Sequence, residues 1–134
     1  MTVNAVNIFK NLVSAFSSKD YEKMTALCAD DLVHEDVASG GSFHGVKEYI
    51  DFAKRLHSSF PDQKWEIISA FSQGNRIAAE TIWSGTFTHS MDPKIPATGK
   101  YVSVRGVSII ELRNGKIWRN REYYDWFPFK QLGF

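Results

Sequence analysis

Hydrophobic and polar residues follow a strand-like pattern in the stretch from Tyr101 to Phe134. Two long runs rich in β-branched and aromatic residues lie on either side of Asn114-Gly115. This dipeptide between such runs is a strong signal for a β-hairpin. We therefore predict two antiparallel strands joined by a tight turn, with the carboxylate of Glu122 in the second strand.

The turn type determines which side chains of this hairpin share a face. A two-residue turn would place Arg119 and Arg121 among aliphatic residues, whereas a type I turn with Gly115 in a left-handed bulge places them on the opposite face. Because register follows the buried face, we favour the bulged turn, which makes Ser108 the diagonal neighbour of Glu122. The apolar face then consists of Val102, Val104, Gly106, Ser108, Ile110, Leu112, Trp118, Asn120, Glu122, Tyr124 and Trp126.

The opposite face of the hairpin mixes charged and apolar residues. Its charged residues are Arg105, Glu111, Arg119, Arg121 and Asp125, and its apolar ones include Tyr101, Val107, Ile109 and Tyr123. This is more apolar surface than a sheet face left to water normally carries. We expect a symmetric homodimer to form across this face.

Helical patterns dominate the first half of the chain. Apolar residues recur at helical spacing over 4–17, and a second, shorter helix follows Asp20, which can cap it. The alternating run 32–37 predicts a strand. A third helix begins after Gly45 and ends at Phe60, where a proline follows.

Two further strands, 64–71 and 76–89, flank a turn cluster at 73–75 and should form a second hairpin. Helices early and strands late predict an α+β fold for the single domain 1–134, with three N-terminal helices packed on a curved, mostly antiparallel sheet. Such curvature leaves an apolar pocket on the concave side. Its floor would carry Glu122.

The amino-acid composition and the net charge exclude several classes of protein. The chain has 134 residues, 14% of them aromatic, and a formal net charge of +1, so no nucleic-acid partner is expected. Cys28 is the only cysteine, which excludes an intrachain disulfide. No apolar run approaches the ~20 residues of a membrane span, and we expect a cytoplasmic protein that contacts no membrane.

Several polar and aromatic residues are candidates for contact with a small hydrophobic ligand. They are His34, Asp36, His44, Trp83, Asn120, Tyr124 and Trp126. His34 and Asp36 share a strand face, but they provide too few converging ligands for a metal site. Asp125 falls on the outer face by parity, where capping the turn at 127–132 is favoured over a role as a secondary acid.

Glu122 is the candidate general base. A carboxyl group enclosed by aromatic and aliphatic side chains should have a pKa raised from about 4.3 toward neutrality. A base with such a pKa suits proton removal from a carbon next to carbonyl groups. Ser108 and Asn120 could stabilise the enolate oxygen as hydrogen-bond donors.

A set of short motifs carries a resemblance to a known family. The motifs are His44-Gly45-Val46, Phe60-Pro61-Asp62, Gly85-Thr86, Pro96-Ala97-Thr98-Gly99-Lys100, Gly115-Lys116-Ile117, Asp125 and Gln131-Leu132-Gly133. In this order and spacing they resemble a SnoaL-like polyketide cyclase domain. That family belongs to the nuclear-transport-factor-2-like superfamily of cone-shaped α+β barrels, which includes ketosteroid isomerases and limonene epoxide hydrolases.

The resemblance implies an aldol ring closure without metal or cofactor, driven by an acidic residue, and a homodimer. Counted from the shared Gly-Lys-Ile turn, the family's catalytic aspartate falls on Glu122 and its partner histidine falls on Ser108. Phe87 stands where many relatives carry a histidine. A hydroxyl at position 108 can orient or donate, but it cannot act as a base near neutral pH.

Three hypotheses about function follow. The first is a cyclase or isomerase in which Glu122 shuttles a proton on a hydrophobic carbonyl compound, polyketide- or steroid-like. The second is a non-catalytic, dimeric domain that binds a small ligand. The third is hydrolysis of the epoxide type, which usually needs an acidic pair bridged by arginine, whereas Arg105 is predicted to point away from Glu122.

Overall fold

The computed structural model describes residues 4–134 of the chain. Its elements, in chain order, are α1 (Ala5–Ser18), α2 (Tyr21–Leu27), β1 (Cys28–Asp36), β2 (Gly41–His44), α3 (Val46–Ser59), β3 (Lys64–Gln73), β4 (Arg76–Thr86), β5 (Tyr101–Arg113), β6 (Lys116–Tyr124) and α4 (Phe127–Gln131). None of the helices in this part of the chain has the length and apolar character needed to span a membrane.

The strands form one mixed sheet that does not close on itself. Its order is β2-β1-β6-β5-β4-β3, and the neighbours are antiparallel except β1 and β6, which are parallel. The helices pack on this sheet, which confirms the predicted α+β class. The parallel pair brings an early strand against the last one, so residues from both ends of the chain meet in the middle of the sheet.

Helix α1 covers one end of the sheet because its apolar residues lie on one side. Phe9, Leu12 and Phe16 are buried, and Phe9 and Phe16 contact Trp65 of β3 edge-on. The helix begins at the predicted place, where the side chain of Asn4 accepts a hydrogen bond from the backbone N–H of Asn7. Packing on the sheet, more than helix propensity, stabilises such an element.

Strand β4 ends at Thr86, three residues before the predicted end, and three other elements differ more from the prediction. Strand β1 begins at Cys28, four residues before the predicted start, directly after α2. Strand β2, with only four residues, was not predicted. The residues predicted as a turn at 127–132 include the short helix α4. Short elements carry too little periodicity to be recognised from sequence alone.

The turn of the terminal hairpin has two residues, so the predicted bulged turn is wrong. Asn114 and Gly115 both have positive φ, 53° and 74°, and Arg113 pairs with Lys116. The bulge lies further along, where Leu112 pairs with Ile117 and Glu111 with Arg119. Trp118 is therefore the extra residue of β6 at this bulge, with no pairing partner on β5.

This displaced bulge preserves most of the predicted faces. Beyond it, Ser108 lies directly opposite Glu122 instead of diagonally, and Asn120 and Glu122 remain on the inner face. Trp118 is the exception, since Ile117 takes the fully buried position and the Trp118 ring lies under the Arg113 guanidinium. A shift of two residues keeps the parity of a strand, so Asn120 and Glu122 lie on the inner face as predicted.

His57 is buried at the C-terminal end of α3. Its Nδ1 lies 2.7 Å from the Tyr21 hydroxyl, and its ring centroid lies 4.5 Å from that of Phe16. Burial lowers its pKa to about 4, with a smaller effect from the Lys19 charge. The contact arises because the end of α3 packs against α1 and α2.

Gly106 should be essential for the packing of β5 on β6. A Cβ atom built there would lie 2.7 Å from the Tyr123 carbonyl oxygen and 2.9 Å from the Tyr124 Cβ. We expect Gly106→Ala to lower the free energy of unfolding by about 1–3 kcal/mol, because strand backbone must move to relieve the overlap. Gly41→Ala is the matched control, since its nearest neighbour would be 3.6 Å away. Equal urea midpoints for the two variants would contradict this expectation.

Candidate active site

A cavity of about 270 Å³ lies between the helices and the inner face of the sheet. Its walls are largely aromatic and include Phe43, Phe52, Phe60, Trp83, Trp126 and Phe129. Polar side chains are few, and they come mainly from β1 and β6. An apolar space with a few convergent polar groups is the usual form of a small-molecule site.

Glu122 lies at the centre of these polar groups. The Ser108 hydroxyl, fully buried on β5, donates a hydrogen bond of 2.5 Å to Glu122 Oε2. The second oxygen, Oε1, is buried and has no hydrogen-bond partner among residues 4–134. The side chain as a whole is half-buried because part of it faces the cavity. The carboxyl group is thus held in place by a hydrogen bond at Oε2, whereas Oε1 lacks one among the described residues.

The protein environment raises the pKa of Glu122 to about 8. Loss of water around the carboxyl group is the main cause, and the nearby Asp36 charge adds to it. The hydrogen bond from Ser108 and the nearby Asn120 amide favour the ionised form and oppose the increase. The group is therefore mostly protonated at pH 7 but can ionise in the neutral to weakly basic range.

His34 is buried beside this carboxyl group, on the neighbouring strand. Its Nδ1 lies 3.1 Å from the Asn120 amide nitrogen, and its ring stacks on Tyr49 at 4.7 Å between centroids. Burial lowers the His34 pKa to about 3. The imidazole is neutral at physiological pH.

Asp36 lies next to Glu122 across the parallel strand pair. The Tyr124 hydroxyl donates to Asp36 Oδ2 at 2.7 Å, and the Ser39 backbone N–H donates to Oδ1 at 3.1 Å. Burial, followed by this hydrogen bond and the Asp36 charge, raises the pKa of Tyr124. Both oxygens of Asp36 are thus occupied by protein donors, which leaves Glu122 as the less satisfied carboxyl group.

The structure places five of the predicted ligand-contact residues on the cavity wall. They are His34, Asp36, Trp83, Tyr124 and Trp126. Trp83 packs edge-on against Phe60, and its Nε1 is buried without a hydrogen-bond partner among the described residues. The cavity therefore joins residues that are as far apart in sequence as 34 and 126.

Four other candidates do not line this cavity. His44 is exposed at the end of β2, with its Nε2 3.3 Å from the Ser42 hydroxyl, because the alternation of that strand turns Phe43 inward instead. Asp125 is exposed and accepts a hydrogen bond from the Phe127 backbone N–H, the predicted capping role. Ser108 and Asn120 lie beneath the wall, 0% and 1% exposed.

The burial of Ser108 and Asn120 corrects the expectation that they stabilise an enolate oxygen. Ser108 donates its only hydroxyl proton to Glu122, and the Asn120 amide lies against His34. Both side chains therefore orient other polar groups of the site. Neither has a free donor on the cavity surface.

Phe43, Tyr49 and Phe52 are among the aromatic wall residues that were not predicted as part of the site. Phe43 and Phe52 stack on each other at 4.6 Å between centroids and lie beside His34. Tyr49 and Phe52 both lie on α3. The spacing of Tyr49 and Phe52 by three residues was the available signal, since such residues share a helix face.

In the part of the chain described, 4–134, no three side chains of the His, Cys, Asp and Glu types converge as a metal-ion site would require. His34 and Asp36 lie two residues apart on β1, but they contact Asn120 and Tyr124 respectively.

Solved structures with the same fold cover almost the whole chain. A proposed polyketide cyclase from Xanthomonas campestris pv. campestris is 26% identical, with a TM-score of 0.83 over 96% of each chain. AclR, a proposed hydroxylase from Streptomyces galilaeus, is 18% identical, with a TM-score of 0.82 over 99% of this chain and 87% of that one.

A protein of ketosteroid isomerase-like fold from Catenulispora acidiphila, solved with trimethylamine, is 18% identical, with a TM-score of 0.78 over 94% of this chain and 92% of that one. A search of curated proteins found no match. The sequence itself matches the SnoaL-like domain family over residues 9–120, so the chain belongs to that family.

Proposed function

We propose that this protein is a cofactor-independent cyclase or isomerase that uses Glu122 as general base and acid on a hydrophobic carbonyl compound. The observation that supports it most is a buried, incompletely hydrogen-bonded carboxyl group at an aromatic cavity, with a pKa of about 8. The likeness to a proposed polyketide cyclase agrees with this class of reaction. A polyketide- or steroid-like ring system would suit the aromatic walls.

The reaction begins when the Glu122 carboxylate removes a proton from a carbon next to a carbonyl group. The electrons of that C–H bond form the C=C bond of an enolate, and the charge moves to the oxygen. In a cyclisation, the enolate carbon attacks a second carbonyl of the same molecule, the π bond of that carbonyl breaks, and protonated Glu122 gives its proton to the alkoxide that forms. In an isomerisation, protonated Glu122 returns the proton to another carbon of the conjugated system.

Several features of the site favour this chemistry. A base is most effective when its pKa lies near the working pH, which the value of about 8 satisfies. The hydrogen bond from Ser108 holds one oxygen in place and so limits the motion of the carboxylate. Aromatic walls keep water away from a charged intermediate.

A hydrogen-exchange assay tests the base without knowledge of the natural substrate. We expect the protein to accelerate deuterium exchange at the α-carbon of 2-tetralone in D₂O, followed by proton NMR. Glu122→Gln keeps the shape but removes the base, and should reduce the catalysed rate by about 10²–10⁴-fold. Glu22→Gln, an exposed acid on α2, is the matched control and should keep the wild-type rate.

Two outcomes would reject the proposal. Catalysed exchange that survives Glu122→Gln would make Glu122 structural. Absence of exchange by the wild-type protein, with 2-tetralone shown to bind, would favour a domain that binds ligands without catalysis.

The pH dependence of the same reaction follows from the raised pKa of Glu122. Because the ionised form is the base, the catalysed rate should rise with pH and level off above an apparent pKa near 8. The measurement is the exchange rate from pH 5 to 10, after subtraction of the protein-free rate at each pH. A profile already flat above pH 5 would show that the carboxyl group has an ordinary pKa.

The epoxide-hydrolase alternative is less well supported. Asp36 and Glu122 are neighbours at the cavity and could form an acidic pair. However, Arg105 is exposed on the other face of the sheet, and no arginine among residues 4–134 lines the cavity. The bridging cation that this chemistry usually draws on is not available.

We also propose a homodimer packed across the outer face of β5 and β6. Tyr101, Val107 and Tyr123 are 64%, 40% and 43% exposed there, an apolar content that water tolerates poorly. On the same face, Glu35 and Glu111 lie 3.3–3.9 Å from the side chains of Arg119 and Arg121. Since these four charges are paired within one chain, a partner can cover them without leaving any of the four unpaired.

Sedimentation velocity tests this assembly. At tens of micromolar, the wild-type protein should sediment as a dimer. Val107→Glu should shift it toward the monomer, because a charge would be buried at the centre of the apolar contact. Lys10→Glu, an exposed change on α1, should leave the dimer intact. A wild-type monomer at these concentrations would rule the dimer out.

A further inference from the structure

The proposed reaction needs a hydrogen-bond donor for the enolate oxygen. A developing oxyanion is stabilised most by a donor that is already fixed toward it. Ser108 donates to Glu122, Asn120 is buried beneath the wall, and Trp83 Nε1 is sealed inside the protein. None of these three groups presents a free donor to the cavity.

His34 has the required free nitrogen. Its ring lines the cavity, and Nδ1 is occupied by Asn120, whereas Nε2 has no partner among the described residues and is not among the sealed polar atoms. We infer that His34 donates a hydrogen bond from Nε2–H to the substrate carbonyl oxygen on which charge develops as Glu122 removes the proton. This inference rests on the proposed function and adds a second catalytic residue to it.

The Asn120 amide determines which ring nitrogen carries the proton. An amide nitrogen can only donate, so the His34 Nδ1 that faces it must be the acceptor and the proton must be on Nε2. The Asn120 side chain also favours the ionised form of the Glu122 carboxyl group and opposes the rise of its pKa, as a nearby donor does. Asn120 thus acts as a positioning residue between the base and the donor.

The surroundings keep the imidazole neutral, which is the form the role needs. Its ring is stacked on Tyr49 and lies within 6 Å of the ring centroids of Phe43 and Phe52. Asp36 is the nearest carboxylate on the same strand face, but Tyr124 and Ser39 occupy its oxygens. A neutral imidazole still polarises a carbonyl group, and it does not neutralise Glu122 as a permanent cation would.

The strand register brings donor and base together. His34 pairs with Asn120 and Asp36 pairs with Glu122 across the parallel β1–β6 contact, so His34 and Glu122 are diagonal neighbours on one face. A carbonyl oxygen and the adjacent carbon of one substrate can therefore lie between the two side chains. The step is balanced, since the proton moves to Glu122, the C–H electron pair becomes the enolate double bond, and the carbonyl π electrons move to the oxygen held by His34.

The tautomer can be measured directly. In a long-range proton–nitrogen NMR spectrum of the wild-type protein at pH 7, His34 should show a protonated Nε2 and an unprotonated Nδ1. Addition of 2-naphthol, whose oxygen mimics an enolate, should shift the Nε2 resonance of His34 and not those of exposed His89. A proton on Nδ1, a doubly protonated ring, or an unmoved Nε2 with naphthol bound would each overturn the inference.

Exchange kinetics with 2-tetralone give an independent test. His34→Phe keeps an aromatic ring but removes the donor, and should lower the catalysed rate by about 10²–10³-fold with little change in KM. In His34→Gln the amide can place a donor near the position of Nε2, so the catalysed rate should fall much less than in His34→Phe. His89→Phe is the matched control and should match the wild type.

Failure of the inference differs from failure of the proposed base. If His34→Phe exchanges at the wild-type rate while Glu122→Gln is inactive, His34 is only part of the wall and the base assignment stands. If Glu122→Gln remains active, the proposed function fails, whatever the tautomer of His34.

Discussion

Removal of the Glu122 carboxyl group from water is the constraint on which the site depends. An ionised carboxylate in apolar surroundings is costly, so its neighbours must supply hydrogen bonds or the group must hold its proton. Ser108 and Asn120 supply part of that compensation from beneath the cavity wall. Because this compensation is partial, the pKa of Glu122 is about 8, and the group can change its ionisation state near neutrality. Both compensating side chains contact other protein groups and not the cavity.

The parallel contact between β1 and β6 adds an imidazole and a second carboxylate to the site, neither of which comes from the terminal hairpin. It places His34 and Asp36 beside Asn120 and Glu122, so a polar cluster forms from strands about ninety residues apart in the sequence. The imidazole at the site thus comes from β1, the strand beside the terminal hairpin. Such a pairing joins two distant segments, and local periodicity gives no signal for it.

The hairpin shows how much the sequence could predict. Alternation in β5 and β6 correctly placed Glu122 on the inner face, and this survived an incorrect turn because a two-residue shift preserves parity. It could not locate the bulge at Trp118, which depends on how Ile117 and Leu112 fill the core. The burial of His57 and the inward position of Phe43 depend on tertiary packing as well, so local patterns could not show them.

The distribution of tryptophans gives the cavity an intrinsic optical reporter. Of the four tryptophans in the chain, Trp65, Trp83 and Trp126 line the cavity, whereas Trp118 lies outside it under Arg113. Indole emission depends on the polarity and the quenching groups around the ring. Occupancy of the cavity by a compound of any class should therefore change the fluorescence of the unlabelled protein, and libraries of non-absorbing compounds can be screened before a substrate is known.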